Sequence, residues 1–411
     1  MGVLRALRWP AYRRVWLTAT LMQFGYWFSS ISFQWLVARE TDNDPLSLSI
    51  LYFSMLVPMT VFSLPAGVLA DVRDRRRVLL LAQLGILTLS TVTATLVFLD
   101  RAPFQVLLAC GFAGGLVHVL AIPSSQALAA NAVPTEDLRS GVLIQAAGMN
   151  LARIVGPAVA GVLILAWGAV ESLVTYGAIA VLTLVALRGL RNIPGNAAPV
   201  ARQGLAARIW SGVNHARAHP PAGTALVIVG ATSVFGLSYY AQLPALAARV
   251  SPDPSIFLML ATIGAVGSAA GVLVVALRPA GPPTVTPAAL MLAVQSLVVL
   301  GLSVSTRLWL TVTLVVIGGA MQFGIMTHCN TVVQAVVDDD HRGRVMSIYV
   351  LCWGGSLPLG GLLLGTVWHL VGPVIALGAS GLVALSIAAY TLRASTLRAG
   401  TPVPRPVPAD L

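Results

Sequence analysis

The feature that most limits what this chain can become is the length of its charge-free apolar runs. No residue between Val345 and Leu392 carries a formal charge. Similar runs recur along the chain, and roughly 20 apolar residues suffice for a helix to cross a hydrocarbon core. Reading from charge to charge gives twelve candidate spans: 15–38, 46–70, 78–99, 104–130, 141–167, 170–187, 222–246, 255–277, 285–305, 308–334, 345–368 and 373–392. The long run 345–392 divides at Gly372-Pro373, because proline cannot continue the hydrogen-bond ladder of a helix. Only 9% of the 411 residues are charged and 57% are hydrophobic, where a soluble chain carries about a quarter charged residues. Unpaired charge in hydrocarbon is costly and apolar surface there is not, so a lipid bilayer is the solvent this composition fits. The expected fold class is an all-α membrane protein with twelve transmembrane helices. The first apolar stretch is long enough to span and stay, so no cleavable signal peptide is expected.

The charge is as informative in its placement as in its amount. All 25 basic residues are arginines, and the formal net charge is +11. They sit in short clusters between apolar runs, with no continuous basic face, which argues against nucleic acid as a partner. Twenty fall on one side of the expected spans, four on the other, and Arg153 lies inside a span. By the positive-inside rule both termini are then cytoplasmic, in a cell inner (plasma) membrane. The longest hydrophilic stretch, 188–221, separates residues 1–187 from 222–393, and a Pro-rich tail follows over 394–411. Within it Leu205, Ile209 and Val213 recur every four residues, a pattern open to an interfacial helix or to a solvated linker. Cys110, Cys329 and Cys352 are odd in number and lie in apolar runs, so no disulfide framework, metal or cofactor is expected.

The two halves echo each other. NAVPTEDLRSGV follows the fourth span and QAVVDDDHRGRV the tenth, with Asn131 against Gln334 and Arg139 against Arg342 at a shift of 203. GVLADVRD from Gly67 matches GVLVVALR from Gly271 at a shift of 204. Apolar segments rich in Ala, Val and Gly also match by chance; a true parallel repeat predicts two pseudo-symmetric six-helix bundles that rock about a site near the midplane.

Three motifs carry more specific chemistry. GVLADVRDRRR, Gly67 to Arg77, resembles the signature loop of the major facilitator superfamily: Gly67, Asp71, Arg75 and Arg76 fall on its pattern, while Val72 and Asp74 depart from it. The resemblance implies a gate in which a carboxylate and guanidinium groups lock helix ends; arginines serving only as membrane anchors are the plainer alternative. NLARIVGPAVAG, Asn150 to Gly161, lies in the fifth span, where Gly148, Ala152, Gly156 and Ala160 recur at four-residue spacing and Pro157 bends the helix. Such a seam lets helices approach closely, and it resembles the fifth-span motif of facilitator antiporters. Arg153, within it, is the one formal charge deep in an expected span and marks a functional site by default, or a structural arginine satisfied by carbonyls. Asn330 to Tyr349, with the first motif, resembles the enterobactin-exporter-like and macrolide-efflux-like subgroup, which makes Arg342 and Arg344 second-half counterparts of the gate. Val275 stands where the first half has Asp71, and Tyr26 stands where many efflux relatives carry an acid.

In that fold, spans 1, 4, 7 and 10 line the cavity. Their polar and aromatic residues are Gln23, Tyr26, Trp27, Ser30 and Gln34; His118 and Gln126; Tyr239, Tyr240 and Gln242; and Gln322, His328 and Asn330. Aromatics with a few amides suit an amphipathic ligand. His118 and His328 are candidate carriers of a coupling proton. No HExxH or GxSxG occurs and the carboxylates keep to loops and span ends, so an intramembrane enzyme is not expected. The reading is a monomeric secondary transporter that exports a drug, siderophore or secondary metabolite by alternating access, with protons as candidate coupling ion. Import or uniport by the same fold, and a non-transporting membrane sensor, stay open.

Overall fold

Helices here start where the sequence supplies a residue that tolerates or satisfies free N–H groups. The computed structural model describes residues 5–190, 205–278 and 281–399. Helices α1 (Pro10–Glu40) and α2 (Pro45–Val72) open on prolines, whose missing N–H costs nothing in the first turn. Asp44 caps α2 by accepting from the Ser47 amide at 2.8 Å. Asp74, the residue that breaks the loop pattern, caps α3 (Arg75–Phe98) by accepting from the Arg76 amide at 2.9 Å. Asp74→Ala is expected to lower stability by about 1 kcal/mol, read as a lower unfolding temperature of the purified chain, with Asp74→Asn close to the parent.

The chain continues through α4 (Phe104–Asn131), α5 (Leu138–Ala166), α6 (Ala169–Arg188) and a helix in the expected linker, α7 (Leu205–Ala218). The stretch from Pro220 to Val250 is irregular: α8 (Pro220–Ala231), a π turn at Thr232–Gly236, a tight turn at Ser238–Gln242, then α9 (Leu243–Val250). Regular helices follow: α10 (Ser255–Ala276), α11 (Thr286–Val304) and α12 (Leu308–Val336). The next stretch again holds a π turn, at Leu351–Gly355 between α13 (Asp339–Val350) and α14 (Leu357–Val371). Gly372, at φ +87°, makes the expected break before α15 (Pro373–Ala399).

Among the described residues, eleven stretches are long and apolar enough to cross a membrane, by length and composition alone. The expected first span is not among them. Helix α1 has the length, 31 residues, but carries Thr18, Ser29, Ser30, Ser32 and Gln34 on buried positions. Ser32 Oγ lies 2.7 Å from Ser172 Oγ on α6, while Thr18, Ser29 and Gln34 bond within α1, to Arg14 O, Tyr26 O and Ser30 Oγ. Inward polarity dilutes the hydropathy of α1 without exposing polar groups.

The packing pattern repeats. In the first half α2 packs on α4 and α3 on α4 and α6; in the second, α10 packs on α12 and α11 on α12 and α15. The two sets meet where α2 packs against α14 and α5 against α10. Gly115 on α4 and Gly319 on α12 are 204 positions apart. A Cβ at Gly115 would overlap the Met55 carbonyl of α2, and one at Gly319 the Gly264 carbonyl of α10. The same close crossing is thus built twice, at the spacing of the sequence repeat. Helix α7 docks on α13, where Arg344 Nη1 donates to Ser211 Oγ at 2.9 Å and Gly212 admits the Arg344 backbone. The Ile209 side chain of the expected apolar stripe lies outside the described residues.

Candidate functional site

The small-residue seam of α5 determines where Arg153 sits. A Cβ on Gly156 would stand 3.0 Å from Trp27 Cβ of α1, and one on Gly161 would stand 3.1 Å from Leu258 Cβ of α10. Helix α5 is therefore held between both sets, and Arg153 opens into a cavity at their junction. Trp27, Ser30 and Gln34 of α1, Tyr52 of α2, Arg153 and Pro157 line it from the first half. Leu237, Tyr240, Ser268, Phe323, Trp353 and Leu357 are among the residues that line it from the second. Its volume is about 80 Å³.

The guanidinium is held mostly by ring faces. Its Cζ lies 3.9 Å from the centroid of Phe323 and 5.3 Å from that of Trp27, each a favourable cation–π placement. Nη1 donates to Asn150 Oδ1 at 3.3 Å, and Asn150 Nδ2 donates back along α5 to Ala146 O at 2.9 Å. Arg153 Nε, Trp27 Nε1 and Trp353 Nε1 are buried donors with no hydrogen-bond partner. A buried donor left unmade costs about 1–3 kcal/mol. All three residues line the cavity, Trp27 and Arg153 from the first half and Trp353 from the second, beside Gln34, whose Oε1 is a buried acceptor also without a partner. Among the described residues, no Asp or Glu lines the cavity.

Hydrogen bonds between the two sets gather at the end with few arginines. Gln242 Nε2 donates to Pro45 O at 3.0 Å and to Ser49 Oγ at 2.5 Å, and Ser49 Oγ donates to Gly361 O at 2.8 Å. His369 Nδ1 lies 2.8 Å from Asp44 Oδ1, a contact a protonated Nδ1 makes in either charge state of the ring. Burial raises the Asp44 carboxyl, but bonds from the Ser47 hydroxyl and amide and from His369 outweigh it and hold the group below its ordinary value. A lowered carboxyl pKa stabilises the closed arrangement above the unfolded value of about 4 and loses that contribution as pH falls through the folded value. The pair is half-exposed and so contributes at most about 1 kcal/mol. Asp44→Asn is expected to shift the population open at this end by up to about fivefold at neutral pH and to have no effect in strong acid. Spin-label distances between Asp42→Cys and Leu370→Cys measure it.

At the arginine-rich end, Arg76 Nε donates to Leu187 O at 3.1 Å, Arg342 Nη2 to Val337 O at 3.4 Å, and Arg344 to Ser211. Arg75 is also engaged. Gly67 and the Asp71 side chain, on the last turns of α2, lie outside the described surroundings.

The residues expected to face a ligand are divided by the structure. Trp27, Ser30, Gln34 and Tyr240 line the central cavity. Tyr26 and His118 stack, centroids 4.0 Å apart, in a separate pocket of about 20 Å³ within the first set, beside Gln83 and Tyr176. Tyr239 packs its hydroxyl on Gly318, and Gln242 joins the two sets as described. His328 Nε2 donates to Thr284 O at 2.8 Å, and Asn330 Oδ1 accepts from Gln334 at 2.6 Å. Gln126 is exposed, Gln23 is half-buried, and Gln322 is buried beside the cavity-lining Phe323. Tyr52, Ser268 and Trp353 were not expected, because spans 2, 8 and 11 were set aside. The signal for Trp353 was its Gly-Gly neighbour pair inside the charge-free run, where the helix widens to a π turn, a feature frequent at functional sites.

The family described as transmembrane secretion effector matches residues 1–404. The Staphyloferrin A transporter of Staphylococcus aureus (strain NCTC 8325 / PS 47) is 26% identical over 352 residues, 84% of this chain and 86% of that protein. Among solved structures, a POT family transporter in complex with a thioalcohol conjugated peptide superposes with a TM-score of 0.74 at 12% identity, over 94% of this chain and 96% of that one. A bacterial homolog of the human lysosomal transporter Spinster, inward-facing and unoccupied, superposes with a TM-score of 0.63 at 16% identity, over 95% and 94%. These two likenesses concern the fold.

Proposed function

We propose, from the premise that this chain belongs to the transmembrane secretion effector family of major facilitator transporters, that it exports a small amphipathic molecule carrying an anionic oxygen group. The observation that carries this reading is the set of buried, unpaired donors on Arg153, Trp27 and Trp353 around one cavity. A carboxylate would satisfy the guanidinium in water-free surroundings, and the rings of Trp27, Tyr240 and Phe323 would take the apolar part. The likeness to a Staphyloferrin A transporter favours a siderophore over a cationic drug, and the lack of a cavity acid points the same way.

In this reading α1 is the twelfth span, and the halves 1–187 and 222–393 are two six-helix bundles that rock about the α2–α14 and α5–α10 contacts. The repeated pairings support that division. The arginine-rich end is cytoplasmic, so the bonds from Asp44, Gln242 and Ser49 close the outer end. A cavity of about 80 Å³ is smaller than the about 300–1,000 Å³ of drug-sized sites, so loading requires the inner ends to part. Asp71, Arg75, Arg76, Arg342 and Arg344 are the charges placed to govern that parting. His118, in its own pocket beside Tyr26, is the candidate proton carrier.

The test is flux in vesicles reconstituted with the purified chain under an imposed pH gradient. A carboxylate siderophore, its methyl ester and a cationic amphiphile are compared. The carboxylate is expected to move outward, the ester and cation little, and Asp71→Asn to slow the carboxylate. Preference for the cation would overturn the substrate class, and accumulation against the expected direction would overturn export.

A further inference from the structure

His215 and His219 stand one helical turn apart where α7 passes into α8, and Asp338 opens α13. One ligand atom from each lies within 4.8 Å of the other two. The His219 ring donates Nδ1–H to the His215 carbonyl at 2.9 Å, because that oxygen can only accept. Its tautomer is therefore fixed, and Nε2 keeps a free lone pair, the arrangement that outer hydrogen bonds give to metal-binding imidazoles. His215 Nε2 is buried with no hydrogen-bond partner. The His341 ring stacks on His215, centroids 4.0 Å apart and planes 6° apart, and holds it in orientation. Nothing in the transport reading uses these groups.

We propose that His215, His219 and Asp338 form a binding site for one divalent transition-metal ion of the zinc type. Two imidazoles and one carboxylate are a donor set suited to such ions, with water in the fourth position of a tetrahedron. Metal–ligand bonds of about 2.0–2.2 Å require ligand atoms closer together than the observed limit, a change that side-chain rotation supplies. The bound ion would fasten α7 to the corner between α12 and α13. It would thereby strengthen a docking that already includes the bond from Arg344 to Ser211 and the stack of His341 on His215.

The test uses the full chain, purified without a polyhistidine tag and stripped with chelator. Titration with Co²⁺ is followed by visible absorption, with Zn²⁺ as competitor, and unfolding temperature is read with and without Zn²⁺. One Co²⁺ per chain is expected, displaced by Zn²⁺, with a Zn²⁺-dependent rise in unfolding temperature. His215→Gln with His219→Gln is expected to weaken binding more than about 100-fold, whereas His369→Gln, at the other end of the molecule, leaves it intact. Asp338→Asn, at a helix start where the side chain makes no capping bond, weakens binding in a chain that still elutes as one species. The site is refuted by absence of Co²⁺ binding at micromolar concentration. It is equally refuted by an unchanged titration in both the double-histidine and the Asp338→Asn variants.

Discussion

Replacing Arg153 with methionine is expected to reduce carboxylate flux about 10–100-fold while leaving the chain as stable as the parent or more so. A hydrogen bond to a charged group contributes about 1.5–3 kcal/mol, and each 1.4 kcal/mol is a factor of ten. The guanidinium has one side-chain acceptor, Asn150, and otherwise rests on the faces of Phe323 and Trp27. Methionine fills that space and removes a charge that the unloaded protein holds at a cost, since buried charge without a matched partner destabilises. Arg153→Lys keeps the charge but loses the planar fork and its ring stacking, and falls between. Flux of each variant in vesicles, with unfolding temperature measured in parallel, separates the two roles. Loss of stability together with flux would make Arg153 a structural residue.

Gly271→Val is expected to be the most damaging single change in the second half. A Cβ there would overlap the carbonyl of Ala320, and one at Gly267 that of Val316. The obstruction in each case is helix backbone, which no rotamer change removes. Overpacking costs about 1–3 kcal/mol where neighbours adjust, and here α10 must move bodily off α12. A loss at or above about 3 kcal/mol is expected, seen as a large fall in unfolding temperature or failure to recover monodisperse protein. Gly378→Ala is the control: nothing lies within 4 Å of a Cβ there, and alanine favours the helix by up to about 1 kcal/mol. Equal tolerance of both changes would mean that the α10–α12 crossing is looser than described.

The contrast between these residues explains what the sequence made legible. Span ends follow from local chemistry, so the break at Gly372-Pro373 could be read directly. The repeat was visible at Gly67 and Gly271, and its packing consequence appears at Gly115 and Gly319. Rotation of a helix about its own axis was not legible, because a span surrounded by lipid and by other apolar helices has no strong period that tells one face from another. For this reason His328 and Asn330, placed on an expected cavity span, bond elsewhere, while Tyr52 and Trp353 reach the cavity from spans thought to be outside it. Helix α1 gives both outcomes: Trp27, Ser30 and Gln34 line the cavity, Tyr26 sits in the smaller pocket beside His118, and the buried polar residues of the helix keep it below the hydropathy of a typical span. Arg153 was legible because one charge in a long apolar run admits few explanations.

In the proposed transport cycle the ends of α2 and α14 separate to let substrate pass. Asp44 and His369 meet across that boundary at 2.8 Å. Cysteines introduced at both positions, in a chain whose Cys110, Cys329 and Cys352 are replaced by alanine, can be joined by a short bifunctional thiol reagent. Flux is then measured before joining, after it, and after reductive cleavage. Flux is expected to stop when the two positions are joined and to return when the bridge is cut; undiminished flux through fully bridged protein would overturn the proposed cycle.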